Sequence, residues 1–353
     1  MSKLSFILGT LIFVTCTFTA CSTGTSSSVV NSNITQQTAT TQTNKEVSTK
    51  TQQQSADTTK DKPYMAEVFA DLGGKSAGGI VFDDNNVMYV AKEGKDIIKV
   101  TPDGKFETLC SIRSLPEGDP KLDPHMSFIS PFVWDMVIDK EKNIYAAAQD
   151  RILKITMDGK VSTIIKDDFG GLFGASGIDV DGNGNIYVTN GNKINKYNKN
   201  LEKEVFIDGD TVKMDGAVLS YAFSLKLDAD CKNLYIGNRA PDSILKFPIE
   251  ADGKAGTPSL VTKNIYTCPH KLALIDNILY ACPGHSGLIL KNDLSGNQNF
   301  YIAGTEIDNA SFAFGKKDFG QHIVYFTSLT SGKIFKYDLD NKNIKISKNK
   351  TVK

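Results

Sequence analysis

The chain has 353 residues, with 40 basic and 40 acidic side chains, four histidines, six cysteines and one tryptophan. A formal net charge of zero removes the electrostatic case for nucleic acid or an anionic membrane surface as partner. The length allows either two ordinary domains or one large single-core architecture such as a barrel or propeller.

Residues 1–20 read as a signal segment outside the fold. Lys3 supplies a small positive charge, and residues 4–18 form an apolar run that is short for a membrane span. The run ends in Phe18-Thr19-Ala20-Cys21, small residues directly ahead of a cysteine. This resembles the bacterial lipobox, with Phe18 where that motif prefers Leu, and the resemblance implies cleavage after Ala20 and lipidation of Cys21. An ordinary cleaved signal, or an uncleaved anchor with Cys21 incidental, is the competing reading. Residues 21–63 are almost wholly Ser, Thr, Gln, Asn and Lys, too polar to offset their ordering entropy, and are expected to form a disordered tether. Two or more acyl chains on Cys21 would hold such a tether to the extracytoplasmic face of the cell membrane.

The folded part is expected over residues 64–346, with 347–353 as a C-terminal tail. Within it an aliphatic-Tyr pair returns six times, as Met88-Tyr89, Ile144-Tyr145, Ile186-Tyr187, Leu234-Tyr235, Leu279-Tyr280 and Val324-Tyr325. A lysine in an apolar run follows each pair, at Lys99, Lys154, Lys196, Lys246, Lys291 and Lys336. Inside one unit, Ile178-Asp179-Val180 leads through Asp181-Gly182-Asn183-Gly184-Asn185 into Ile186-Tyr187-Val188, and two further strands follow at 194–197 and 204–207. Four short strands per unit, with no helical periodicity, predict an all-β, six-bladed β-propeller of four-stranded antiparallel blades. Glu67-Val68-Phe69 reads like an outer strand and is expected to pair near residues 334–337, closing the ring and hiding an edge.

The string from Gly177 to Val188 resembles an NHL-type repeat. The six-unit organisation is similar to the superfamily joining NHL-repeat propellers with gluconolactonase-like hydrolases (senescence marker protein). The resemblance implies a channel-face site and, in the gluconolactonases, a divalent metal held by a Glu of the first blade with Asn and Asp from others. Aligned on that pattern, this chain has Gly78 and Gly79 at the Glu position, Ser176 at the Asn position and His270 at the later acidic one. The ligand set does not carry over. No cofactor is therefore called for, and a divalent metal is only what the resemblance leaves open. The streptogramin lyases, a second enzymatic relative, have seven blades rather than six.

With the inner strands aligned, Trp134, Asp135, Ser224, His270 and Lys271 stand at the channel mouth, where aromatic walls and converging polar groups suit a small polar ligand. Packing of Trp134 and Phe223 between blades is the plainer alternative. Cys268, His270, Cys282 and His285 cluster at one end of a hairpin whose register, folded about Asp276-Asn277, sets Leu274 opposite Ile278 and His270 opposite Cys282. Zinc ligation, a Cys268–Cys282 disulfide and free thiols all remain open for them. The connection 110–132 carries Glu117, Asp119, Asp123 and His125, which suit acid–base or cation-binding work or simply a solvated lid. The preferred function is a binding module that presents its channel face to a small ligand or a surface protein. A gluconolactonase-like or streptogramin-lyase-like enzyme and a structural envelope docking protein are the alternatives.

Overall fold

Runs of β-branched and aromatic residues punctuated by Gly, Asn and Asp pair most cheaply as antiparallel hairpins, and six such sheets form here. The computed structural model describes residues 65–112, 115, 133–171, 173–212, 218–263, 265–304, 308–344 and 346–348. The expected signal segment and tether, with Cys21, and Glu117, Asp119, Asp123 and His125 lie outside the described residues.

Blade 1 is β2 (Ala77–Phe82), β3 (Met88–Lys92), β4 (Asp96–Val100) and β5 (Phe106–Ser111). Blade 2 is β6 (Asp135–Ile138), β7 (Ile144–Ala147), β8 (Arg151–Ile155) and β9 (Val161–Lys166). β10 (Ile178–Val180), β11 (Ile186–Asn190), β12 (Lys193–Tyr197) and β13 (Lys203–Asp208) make blade 3. Blade 4 comprises β14 (Ala222–Leu227), β15 (Asn233–Asn238), β16 (Ser243–Pro248) and β17 (Ser259–Lys263). Blade 5 runs through β18 (Pro269–Ile275), β19 (Ile278–Pro283), β20 (Leu288–Asn292) and β21 (Gln298–Ile302). Blade 6 takes β22 (Asn309–Phe314), β23 (Ile323–Ser328) and β24 (Lys333–Asp338) from the end of the chain and its outer strand β1 (Glu67–Asp71) from the beginning. This is the expected closure, with Glu67 opposite Lys336 and Asp71 opposite Lys333. A three-residue 3-10 turn, Lys317–Phe319, interrupts blade 6.

The repeated residues have a local cause. In every blade the tyrosine of the second strand sits directly across from the lysine of the third, from Tyr89 with Lys99 to Tyr325 with Lys336. In two blades the ammonium lies over the ring, Lys154 at 5.6 Å from Tyr145 and Lys196 at 5.9 Å from Tyr187. In blades 1 and 3 the phenol reaches the aspartate after the first strand, as Tyr89 Oη donates to Asp83 Oδ2 at 3.2 Å. That aspartate's other oxygen holds the turn, accepting from the backbone N–H of Asn85 and Val87 at 2.9 Å each. Asp181 repeats this with Asn183 and Asn185. One motif therefore ties turn, hairpin and sheet face together.

One hydrophobic cluster fills each of the six blade interfaces, since no blade can bury both faces alone. Between blades 1 and 2, for example, Tyr89, Ile97 and Cys110 pack on Met136, Ile144 and Leu153. A seventh cluster sits over the channel.

Two features depart from the sequence reading. Beyond β24 the chain adds β25 (Ile346–Lys348) to β21, giving blade 5 a fifth strand from residues read mostly as tail. The β18–β19 hairpin also has a different register: Ile275 faces Ile278 across the two-residue turn, Leu274 faces Leu279, and Lys271, not His270, faces Cys282. Asp276 and Asn277 both have positive φ, 49° and 60°, the two-residue turn that matches strand twist and leaves no spare residue in the loop.

Candidate functional site

The inner strands stand around a central channel, and what they place there follows from bulges at their starts. The ladder skips Phe223 between Ala222 and Ser224, His270 between Pro269 and Lys271, and Ala310 between Asn309 and Ser311. A bulge re-aims the extra side chain. Phe223 and Ala310, with Trp134 and Cys268, form the buried cluster that caps the channel, with Phe173, Tyr221 and Leu329 packed around it and the His270 ring stacked against Phe223.

The cap is tightly keyed. Trp134 meets Phe173 and Phe223 edge-on at 5.3 Å each and His270 at 6.1 Å. The His270 ring stacks on Phe223 with 4.5 Å between centroids and 14° between planes. A Cβ added at Gly284 would come within 2.2 Å of that ring, so only glycine leaves the imidazole room. The Nδ1–H of His270 donates to the Asn309 carbonyl at 3.1 Å. Burial, with a smaller contribution from neighbouring His285, pulls its pKa down to about 3, and the ring is neutral at physiological pH.

Beneath the cap, Asp135 of blade 2 and Lys271 of blade 5 form an ion pair. In a six-membered ring these blades are opposite each other, so the pair bridges the channel. Asp135 Oδ1 also accepts from Met136 N–H at 2.7 Å, and Oδ2 from Ile178 N–H at 3.3 Å. Burial pushes the Asp135 carboxyl above its ordinary range, and the Lys271 ammonium opposes that shift. One layer further along the strands, Lys226 pairs with Asp179 at 2.7 Å.

The remaining polar groups at this level fasten blade to blade. Ser176 Oγ donates to the Phe223 carbonyl at 2.7 Å, Ser224 Oγ to the Pro269 carbonyl at 2.6 Å, and Thr327 Oγ to the Gly78 carbonyl at 2.6 Å. Gly79 N–H donates to the Val133 carbonyl at 2.8 Å. With the bonds of His270 and Asp135, every one of the six interfaces is tied near the axis. The structure thus brings Trp134, Asp135, Ser224, His270 and Lys271 together, but buries each one and engages it with the ring itself.

The four sulfur and imidazole candidates separate. Cys268 joins the cap, whereas Cys282 packs with Phe312 and Phe326 in the interface between blades 5 and 6. Both are free thiols, and burial pushes both well above the usual thiol range. His285 is exposed, and its Nδ1 meets Asp308 Oδ1 at 2.5 Å. No group of three or more His, Cys, Asp or Glu suited to a metal occurs among the described residues. Gly78, Ser176 and His270, at the positions the gluconolactonase resemblance assigns to metal ligands, supply no carboxylate and are spent on ring ties. They do not fit an oxygen-ligated divalent cation.

The groups with unused bonding capacity lie at the rim, and sequence reasoning passed over them. Arg239, on the β15–β16 turn, is exposed and lies 5.6 Å over the Phe173 ring. Its guanidinium makes no ion pair among the described residues, although its charge acts on Tyr221, Cys268 and His270. Tyr221 Oη accepts the Phe173 N–H at 2.9 Å, and its own proton goes to none of the described residues. Burial raises the Tyr221 pKa to about 12, keeping it a neutral donor. One signal for this rim was available: Arg113, Arg151 and Arg239 are the only arginines in a lysine-rich chain.

No protein-family model and no curated protein sequence matches the chain. Solved structures do resemble it. One is a gluconolactonase from Xanthomonas campestris, 12% identical, covering 78% of this chain and 88% of that one, with a TM-score of 0.57. A streptogramin B lyase is 17% identical, covering 82% and 88%, with a TM-score of 0.52. A virginiamycin B lyase from Staphylococcus aureus is 17% identical, covering 78% and 85%, at 0.50. At these identities the likeness is one of fold, and the chain is a six-bladed β-propeller sharing its architecture with the gluconolactonase-like proteins.

Proposed function

We propose that this chain is an extracytoplasmic, lipid-anchored propeller that acts as a binding module, with the rim of its channel face as the recognition surface and Cys21 as the site of acylation. One observation carries the reading: the channel is filled by its own side chains, Asp135 against Lys271 under the aromatic cap, while Arg239, Tyr221 and His285 keep donors or acceptors for something else. A small polar ligand is the partner best matched to so few groups. A docked surface protein has less support, because the exposed apolar Val68, Phe106 and Val205 stand singly on outer strands of three different blades.

A second reading, a lyase- or hydrolase-like enzyme, is favoured by the His285–Asp308 pair. A carboxylate accepting the Nδ1 proton leaves Nε2 as the basic atom, the arrangement of a general base and its orienting group. The test is a thermal-shift screen of the full-length protein against small carboxylates, amides and lactones, run beside a turnover assay with and without divalent cations. Binding without turnover is the expected result. Turnover that disappears in His285→Ala would replace the binding reading with the enzymatic one, and no shift with any compound would remove both. Labelled palmitate incorporated by the wild type and not by Cys21→Ser is the expected outcome for the anchor, and equal membrane recovery of both would overturn it.

A further inference from the structure

The rim contains more chemical specificity than a general binding face requires. Arg239 is held by a cation–π contact on Phe173 and by its backbone, whose N–H donates to the Tyr221 carbonyl at 2.8 Å. Tyr221 is held in turn by the Phe173 N–H bond. Gly171, at φ 86°, lies under the phenol ring, where any Cβ would come within 2.5 Å of it. Three side chains from two neighbouring inter-blade connections and one hairpin turn are therefore in contact with one another. Asp242, three residues beyond Arg239, is not within ion-pairing distance of it among the described residues, and Asp308 is taken by His285.

We propose that Arg239, Tyr221 and Phe173 form a subsite for a carboxylate carried on a flat apolar body. The guanidinium fork and the phenol O–H donate to the carboxylate oxygens, which take two parallel N–H bonds from arginine better than from any lysine. Phe173 and Tyr221 are only half-buried and present apolar surface beside those donors. A cationic head is repelled by the guanidinium, and a neutral carbonyl accepts weaker bonds from the guanidinium and the phenol than a carboxylate does, which is why the observations favour an anion. This assignment rests on the binding-module reading and narrows it to a ligand class.

The molecule carries its own reporter. Trp134 is the only tryptophan of the chain, and it lies 5.3 Å from Phe173. The experiment is a fluorescence titration of the full-length protein with phenylacetate, its neutral isostere phenylacetamide, and phenethylamine, repeated for Arg239→Gln, Tyr221→Phe and Phe173→Ala. The expected result is saturable quenching or shift by phenylacetate, at least tenfold weaker for the amide and absent for the amine. Arg239→Gln should erase the difference between acid and amide, and Tyr221→Phe should weaken the acid about threefold. If Arg239→Gln keeps the wild-type preference for the acid, or if acid and amide bind the wild type alike, the assignment is overturned. Should those failures occur while Phe173→Ala still abolishes binding, the rim remains a binding face and only the ligand class is wrong. Absence of any response to all three compounds overturns the assignment and counts against the rim as well. Unchanged urea midpoints of the three variants exclude misfolding as the cause.

Discussion

Replacing His270 by asparagine tests the cap directly, because the cap holds that imidazole neutral. Asn keeps a donor for the Asn309 carbonyl but does not titrate. In the unfolded chain His270 has an ordinary pKa near 6.5, and in the fold it sits at about 3. A depressed folded pKa means that the unfolded chain binds the proton first, so the contribution is fully present above about pH 6.5 and is lost as pH falls toward about 3. Between pH 7.5 and pH 5.0 the unfolded state gains about 1.5 logarithmic units of protonation and the folded state almost none, which is about 2 kcal/mol. The result hardly depends on the folded value so long as it stays below about 4. Loss of the stack on Phe223 also lowers stability at every pH, by about 1–3 kcal/mol, but that offset has no slope. The raised Asp135 titrates in both proteins and cancels in the comparison. The assay is urea unfolding followed by Trp134 fluorescence at pH 7.5, 6.0 and 5.0. The wild type should lose about 2 kcal/mol more than the variant across that range. Parallel pH profiles would refute the reasoning and mean that the imidazole takes up protons in the folded ring.

Three further outcomes follow from the same geometry. Lys271→Met strands the Asp135 carboxylate in the channel and should cost about 3–5 kcal/mol in urea unfolding, whereas Asp135→Asn combined with Lys271→Met should recover a large part of it. Equal loss in the single and the double variant would show that the pair does not govern the site. Gly284→Ala drives a methyl into the His270 ring and should cost about 1–3 kcal/mol, and a neutral result in the same measurement would mean the cap is loose. Native-state alkylation with iodoacetamide should modify half-buried Cys231 well before Cys268 and Cys282, whose burial keeps them protonated; mass spectrometry showing the reverse order contradicts that burial.

Much of the fold was legible because its signals are short-range. A tyrosine facing a lysine across a hairpin recurs in every unit, and in the first four an aspartate (Asp83, Asp139, Asp181 and Asp228) holds the turn that leads into the tyrosine strand. Even the closing strand was readable, because β1 reads like the outer strand of another unit. The channel was legible only as a set of positions. Counting back from the strand ends pointed to Trp134, Asp135, Ser224, His270 and Lys271 at the inner-strand starts, but a regular pleat gives the wrong aim. The bulges at Phe223, His270 and Ala310 each shift one side chain toward the axis without any mark in local composition. The same shift, with the tight turn at Asp276-Asn277, set His270 off Cys282.

Local pairing preferences therefore determined the number of blades and the strand order within each, since those interactions join neighbouring hairpin strands and repeat, whereas the closing pair joins Glu67 to Lys336 across the whole ring. Ring closure alone decided that Asp135 would meet Lys271 far along the chain, that the axis would be filled, and that Arg239, Tyr221 and Phe173 would share a rim. Those contacts join different blades, and their energies depend on burial and on side-chain direction, neither of which a one-dimensional pattern encodes.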